Sequence, residues 1–188
     1  IEEWDGWNDE NTRLLAVKNN VHIIKFIPKR FKNYEFYLKA VKINDALKYI
    51  PKKFKTKELY EIAVKNYGYV LQYIPTEFKT KELCLLAVEN YGYAIEYVPE
   101  EFKTKDLYLI AVNHGYALHY VPEKLKTKEL CLIAIEKDGY ALYYVPEEFK
   151  TKELCELAVK NTSSALDYVP EEFKTEELYK LADKTRLK

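Results

Sequence analysis

The chain has 188 residues, with 30 Lys and Arg against 30 Asp and Glu, so its formal charge is zero. Hydrophobic residues make up 48% and charged residues 32%, which is too apolar for wholesale disorder and too interrupted by charge for a bilayer span. Five glycines and seven prolines exclude collagen-like and Gly/Pro-rich disordered classes, and the length suits one compact unit or one repeat array.

From the N-terminus, residues 1–27 read as a divergent first repeat, with Leu15, Ala16 and Val17 in phase with later copies and Trp7 at a phenylalanine position. The chain holds no methionine and opens without a basic stretch before an apolar core, so no signal peptide is read there. A processed precursor and a fragment of a longer repeat protein both stay open. From Pro28 the repeat is explicit. Every proline belongs to the series Pro28, Pro51, Pro75, Pro99, Pro122, Pro146 and Pro170, spaced by 23 or 24 residues. Six full repeats fill 28–169 and a truncated capping repeat fills 170–188, so 1–188 reads as a single repeat domain.

Each repeat carries two helix signals. The first helix opens on a residue whose side-chain oxygen can take an orphan N–H: Asp9, Asn33, Thr56, Thr80, Thr104, Thr127, Thr151 and Thr175. About ten residues follow with apolar groups at helical spacing, such as Leu83, Leu86 and Ala87. Gly68, Gly92, Gly115 and Gly139 then fit left-handed capping residues, as does Asn44, while Val21 and Ser163 hold the slot in the outer repeats. A short second helix, such as Tyr93 to Val98, ends at the next proline. Cys84 and Val88 give the first helix a second apolar face, so each repeat needs a neighbour on both sides. Asp183 replaces that valine in the last repeat, as a terminal cap requires. These features predict an all-α, right-handed α-solenoid of helix-turn-helix repeats.

The strings Ala117-Leu118-His119-Tyr120-Val121-Pro122, Lys150-Thr151-Lys152-Glu153-Leu154-Cys155 and Asn90-Tyr91-Gly92-Tyr93 resemble the repeats of domain of unknown function 4116, short helical repeats of bacterial, algal and giant-virus proteins. The resemblance covers nearly the whole chain, more weakly before Pro28. It implies the architecture and no chemistry.

Candidate sites follow from what varies. Cys84, Cys131 and Cys155 share one slot with Tyr37, Tyr60, Tyr108 and Tyr179, which points to packing. Their odd number, without CxxC spacing, fits free thiols in a reducing, cytoplasmic setting. His22, His114 and His119 show no pairing with an acid and a nucleophile. No catalytic residue, metal set or cofactor is expected, and the chain does not read as an enzyme. Tyrosines close the second helix (Tyr49, Tyr73, Tyr97, Tyr120, Tyr144, Tyr168) and open it (Tyr69, Tyr93, Tyr116, Tyr140); they read as core, or as an aromatic ladder for a partner. The residue before the closing tyrosine changes from repeat to repeat, including Glu96, His119 and Tyr143, and should face water. Leu85, Leu109 and Leu132 replace charged residues at one first-helix slot, where they would form an apolar ridge or lie beneath neighbouring loops. Charge is uneven: residues 13–65 hold 14 basic and 4 acidic groups.

The leading expectation is a scaffold that binds a protein partner through these leucines and variable residues, as an inhibitor or adaptor of a larger complex. The alternative is a nucleic-acid or anionic-partner binder using Lys29, Arg30, Lys32, Lys52, Lys53 and Lys55, with Tyr34 and Tyr37 nearby. Only three of the 30 basic residues are Arg, which counts against nucleic acid. The basic and acidic ends also suit head-to-tail self-association. No membrane partner is expected.

Overall fold

The computed structural model describes residues 5–115 and 117–187. It is an all-α repeat structure of helix-turn-helix units, with no strand among the described residues. Eight α-helices recur in them: α1 (Glu10–Asn19), α2 (Tyr34–Ile43), α3 (Lys57–Asn66), α4 (Lys81–Asn90), α5 (Lys105–Asn113), α6 (Lys128–Lys137), α7 (Lys152–Asn161) and α8 (Glu176–Arg186). Two compact units are present, Ile1–Asn90 and Tyr91–Lys188. In the first, α1 to α4 pack in sequence order; in the second, α5 to α8 do the same.

All eight expected caps form. Asp9 accepts from the Thr12 N–H and Asn33 from the Phe36 N–H. Each threonine takes the N–H three residues on, from Thr56 to Leu59 at 3.2 Å through Thr175 to Leu178 at 3.3 Å. Both apolar faces pack inward: Leu83, Cys84, Ala87 and Val88 are between 0% and 5% exposed, while Leu86 is half-buried. Asp183 is exposed, as a cap should be.

The second helices are not α-helical. They are 3₁₀ helices, such as Gly92–Tyr97 and Gly139–Tyr144, and each proline is followed by another 3₁₀ turn, such as Glu100–Phe102. Six residues between an extended exit and a proline are too few for a run of i to i+4 bonds, and the tighter winding fits. Their inward residues, including Leu71, Ile95, Leu118 and Leu142, are fully buried and form the core with the first helices.

The expectation of left-handed caps holds only at Gly115, whose φ is +84°. Asn44 is extended, with φ −158°. The chain leaves most first helices through an extended residue, such as Tyr91 at −156° or Asp138 at −155°. Gly92 and Gly139 are needed for closeness instead. A Cβ on Gly92 would lie 2.5 Å from the Ala111 carbonyl oxygen, and one on Gly139 would lie 2.1 Å from that of Ala158. Gly115 belongs to one of the two repeats shortened by a residue, where α5 has nine residues and the turn must be tighter.

Two polar ladders join repeats. Asn44 Nδ2 donates to the Val17 and Lys18 carbonyls, and Asn90 Nδ2 to those of Val64 and Lys65. Asn161 Nδ2 does the same to Ile135, 2.9 Å away. These bonds satisfy last-turn carbonyls of the preceding helix. Lys126 and Lys150 are buried, and each amine bridges a glutamate three residues back and a carbonyl at the end of the next 3₁₀ helix, Tyr144 and Tyr168 respectively.

Candidate functional site

Each of the three leucines projects from a first helix. Leu85, Leu109 and Leu132 are 37%, 44% and 41% exposed, so loops do not cover them. In the first unit, Leu85 lies on α4; α3 and α4 form a groove of about 560 Å³ lined by Ile62, Leu83 and Leu86, and Leu85 is not part of that lining. In the second unit, Leu109 on α5 lines a groove of about 350 Å³ with Leu125, Leu130 and Ile133; Lys105, Asp106, Lys124 and Glu129 stand around it. Leu132 lies on α6, the other helix of that pair.

The variable positions of the second helices all face water: Lys25, Lys48, Gln72, Glu96, His119, Tyr143 and Asp167 are exposed. They are not unattached. The Tyr120 hydroxyl donates to Glu96 Oε2 at 2.8 Å, and His119 stacks between Tyr120 and Tyr144 with centroids at 3.7 and 5.2 Å. Tyr143 is 54% exposed and meets Tyr144 and Tyr168 edge-on, both at 4.8 Å. The closing tyrosines from Tyr49 to Tyr168 are half-buried. Core and ladder readings therefore both hold in part, one edge of each ring packed and the other wet. Tyr116 lies outside the described residues. Burial first, then the Glu96 bond, raises the Tyr120 pKa; the Tyr140 hydroxyl is the first cause that pushes Tyr168 up to about 12.

Of the six basic candidates, the structure brings three together. Lys29, Lys32 and Lys53 line a cavity of about 330 Å³ in the first unit, with Tyr37 and Tyr49 as aromatic walls. Lys25 joins them, a residue that the sequence placed only among the variable positions. No carboxylate is in the lining. The Lys32 amine also donates to the Ile24 carbonyl at 3.2 Å. Arg30 lies over the ring of its neighbour Phe31, 4.7 Å from the centroid, and neither it, Lys52 nor Lys55 lines the cavity. Lys55 is half-buried; desolvation and then the nearby Lys52 charge lower its pKa. The matching lysines Lys103, Lys126, Lys150 and Lys174 meet a glutamate at that spacing instead. Tyr34 is bound elsewhere, its hydroxyl donating to Glu58 at 2.8 Å.

The three cysteines are free and buried, as packing residues should be. Burial pushes each thiol up to about 11. Among the described residues, no group of three or more His, Cys, Asp or Glu side chains could hold a metal ion. Also among them, no helix is long and apolar enough to cross a membrane.

Comparison with known families gives one match. The model of DUF4116, a domain of unknown function, matches residues 33–79, 80–126 and 127–174. Each matched segment spans two of the proline-marked repeats. No curated protein and no solved structure matched the chain.

Proposed function

The chain belongs to the DUF4116 family of short helical repeats, and on that premise we propose that it is a non-catalytic scaffold that binds a protein partner, as an inhibitor or adaptor of a larger complex. The observation that supports this most is the exposure of Leu85, Leu109 and Leu132, each more than a third accessible at a slot where Glu61, Glu156 and Lys180 are charged. Apolar side chains kept at solvent positions mark contact surfaces, and Leu109 also lines a groove. Glu96, His119 and Tyr143 would add partner contacts from the second-helix face. Free thiols fit a cytoplasmic setting.

Alanine at Leu85, Leu109 or Leu132 is expected to shift folding stability by no more than about 0.5 kcal/mol, as exposed substitutions do. The same variants are expected to lose proteins that the parent captures from its native host, identified by mass spectrometry. Unfolding of the variants would make the leucines core. Unchanged capture by folded variants would remove them from the binding surface.

A second reading rests on the four-lysine cavity. It takes the phosphates of a nucleic acid or another anionic partner, a second copy's acidic end included. Affinity for a short single-stranded RNA is expected to fall linearly with salt on logarithmic axes. Lys29→Ala and Lys53→Ala should each flatten the slope by about 0.7. No binding at low salt defeats this reading.

A further inference from the structure

The turn after each proline carries a charge pair that reverses along the chain. In the repeats that open at Pro99, Pro122, Pro146 and Pro170, the turn starts on Glu100, Glu123, Glu147 or Glu171. Its carboxylate meets the lysine three residues on, Lys103, Lys126, Lys150 or Lys174, at 2.6 Å. In the repeats that open at Pro28 and Pro51 the same position is Lys29 or Lys52, ahead of Lys32 and Lys55. A cation thus stands where the later repeats place the counter-charge.

At Pro28 the reversed turn opens on the cavity of about 330 Å³ in the first unit, which Lys29 lines from the turn itself. The walls hold the other amines in place. Lys25 Nζ lies over the Tyr49 ring, 5.5 Å from the centroid, and Lys53 Nζ over the Phe54 ring at 4.8 Å. Lys32 Nζ donates to the carbonyl of Ile24, and Tyr49, Phe54 and Ile24 all belong to the lining. Lys25, Lys29 and Lys53 are exposed, so a dissolved ligand can reach their charges. Among the described residues the lining holds no carboxylate. Like charges around one space repel one another, and an anion entering it turns that repulsion into attraction.

The lining decides the kind of anion. A single carboxylate offsets one charge of the four, so the ligand carries several. Lysine amines are point charges without the planar fork by which arginine grips a carboxylate, and amines arriving from separate positions suit the oxygens of a tetrahedral phosphate. A single nucleic-acid strand also draws on base stacking. The ring faces here are already taken. Lys48 as well as Lys25 lies over Tyr49, at 5.1 Å, and Tyr37, 2% exposed, packs against Phe54. The volume is at the small end of ligand sites, roughly 300–1,000 Å³, and suits a compact molecule. We propose that the cavity binds a small, non-aromatic polyphosphate, a free molecule whose neighbouring phosphate groups are held by Lys25, Lys29, Lys32 and Lys53. This rests on the second reading above only in taking the cavity as a phosphate site.

The phosphates can sit on an inorganic chain or on a polyol ring, and one set of titrations separates the two. Tripolyphosphate, inositol hexakisphosphate, orthophosphate and citrate are each titrated into the intact protein by calorimetry, at neutral pH and low salt without divalent metal. Tripolyphosphate or the inositol phosphate is expected to bind one to one with Kd on the order of 10 µM, and the tighter of them names the framework. Orthophosphate and citrate should each bind more weakly by about tenfold or more. Lys29→Glu copies the turn of the later repeats, so it should fold; it should pair with Lys32 and weaken the polyphosphate by about tenfold or more. Lys53→Ala should weaken it about fivefold, whereas Lys42→Ala, an equal loss of charge at an exposed position on α2, should change it less than about twofold. A short single-stranded RNA separates this proposal from the reading beneath it. Polyphosphate that displaces the RNA, or that binds where the RNA does not, supports the proposal. RNA that binds while neither polyphosphate does overturns the proposal and leaves the reading, and no binding by any phosphate overturns both. Citrate as tight as tripolyphosphate, undiminished binding by folded Lys29→Glu, or equal losses for Lys42→Ala and Lys53→Ala also overturns it. The comparison of ligands needs no variant.

Discussion

Alanine at Gly139 is expected to destabilise the second unit by about 3 kcal/mol or more, an overpacking cost at the upper end of the usual range. The added Cβ would lie 2.1 Å from the Ala158 oxygen, 2.9 Å from its carbonyl carbon and 3.0 Å from Thr162 Cβ. Two of these three atoms are backbone, and the Ala158 carbonyl already accepts the Thr162 N–H at 2.9 Å as the C-terminal bond of α7. No rotamer change relieves the clash, so α7 must move off the Gly139–Tyr144 helix as a body. That separates surfaces that bury Ala141, Leu142, Ala158 and Val159. Gly115→Ala is the control. Its Cβ would meet only Lys137 Cβ at 3.7 Å, but its φ of +84° is unfavourable for alanine, at about 1–2 kcal/mol. Denaturant melts should therefore rank Gly139→Ala well below Gly115→Ala, and hydrogen exchange should show lost protection first in α7, since neighbours in a repeat array couple most strongly. A Gly139→Ala protein within about 1 kcal/mol of the parent would mean that α7 is not held this close.

The repeat glycines show what a sequence of this kind reveals and what it hides. The period of the prolines, the eight capping residues and the two apolar faces of each first helix were all legible, because each is a local or strictly periodic signal. The reason for Gly92 and Gly139 was not. Glycine permits both a left-handed backbone and a close approach, and the choice depends on a carbonyl some 20 residues away, as Ala111 is from Gly92. Asn44 read as a helix-capping residue, yet its amide serves the preceding repeat, as do those of Asn90 and Asn161. Lys126 and Lys150 carry no local signal that sets them apart from the other lysines, yet they are buried. A long amphipathic side chain gives no sign in sequence of where its head will dock. The 3₁₀ winding of the second helices was hidden for a different reason: at six residues, the 3.0 and 3.6 periods place the same side chains inward.

The candidate surfaces divide along the same line. That Leu85, Leu109 and Leu132 sit off the packed faces followed from their helical register; whether loops cover them did not, and the structure leaves them exposed. The basic cavity did not, since Lys25 and Lys53 are 28 positions apart and meet only through stacking of repeats. His119 looked like free variation within a repeat, and its place between Tyr120 and Tyr144 appears only when the Leu118–Tyr120 and Gly139–Tyr144 helices pack side by side.

Stability is expected to fall steeply above about pH 9, through a column of buried weak acids. Cys84, Cys131 and Cys155 are each 0% exposed, and their thiols are pushed up to about 11 from the ordinary value of 9.0, chiefly by desolvation. Tyr37, Tyr60 and Tyr108 hold the same slot in other repeats, and burial raises their phenols as well. The fold favours the neutral form of every member. Below pH 9 both states are protonated, so the groups place no load on folding. As pH rises from 9 towards 11 the unfolded chain ionises while the folded one does not, and stability is lost across that window. Near pH 10 the loss is about 1.4 kcal/mol for each thiol, or about 4 kcal/mol for the three, a large part of a typical 5–15 kcal/mol total. The tyrosines extend the decline above their ordinary value of 10.0. Denaturant midpoints measured from about pH 8 to about pH 10.5 should show this fall. The triple variant Cys84→Ala, Cys131→Ala, Cys155→Ala should start lower, because it leaves small cavities, yet decline more gently between pH 9 and 10. Thiol reagents at about pH 8 should modify the parent only as it unfolds, since a buried thiol with a raised pKa is scarcely ionised. Equal slopes for parent and variant, or prompt modification of the folded parent, would contradict the burial of this column.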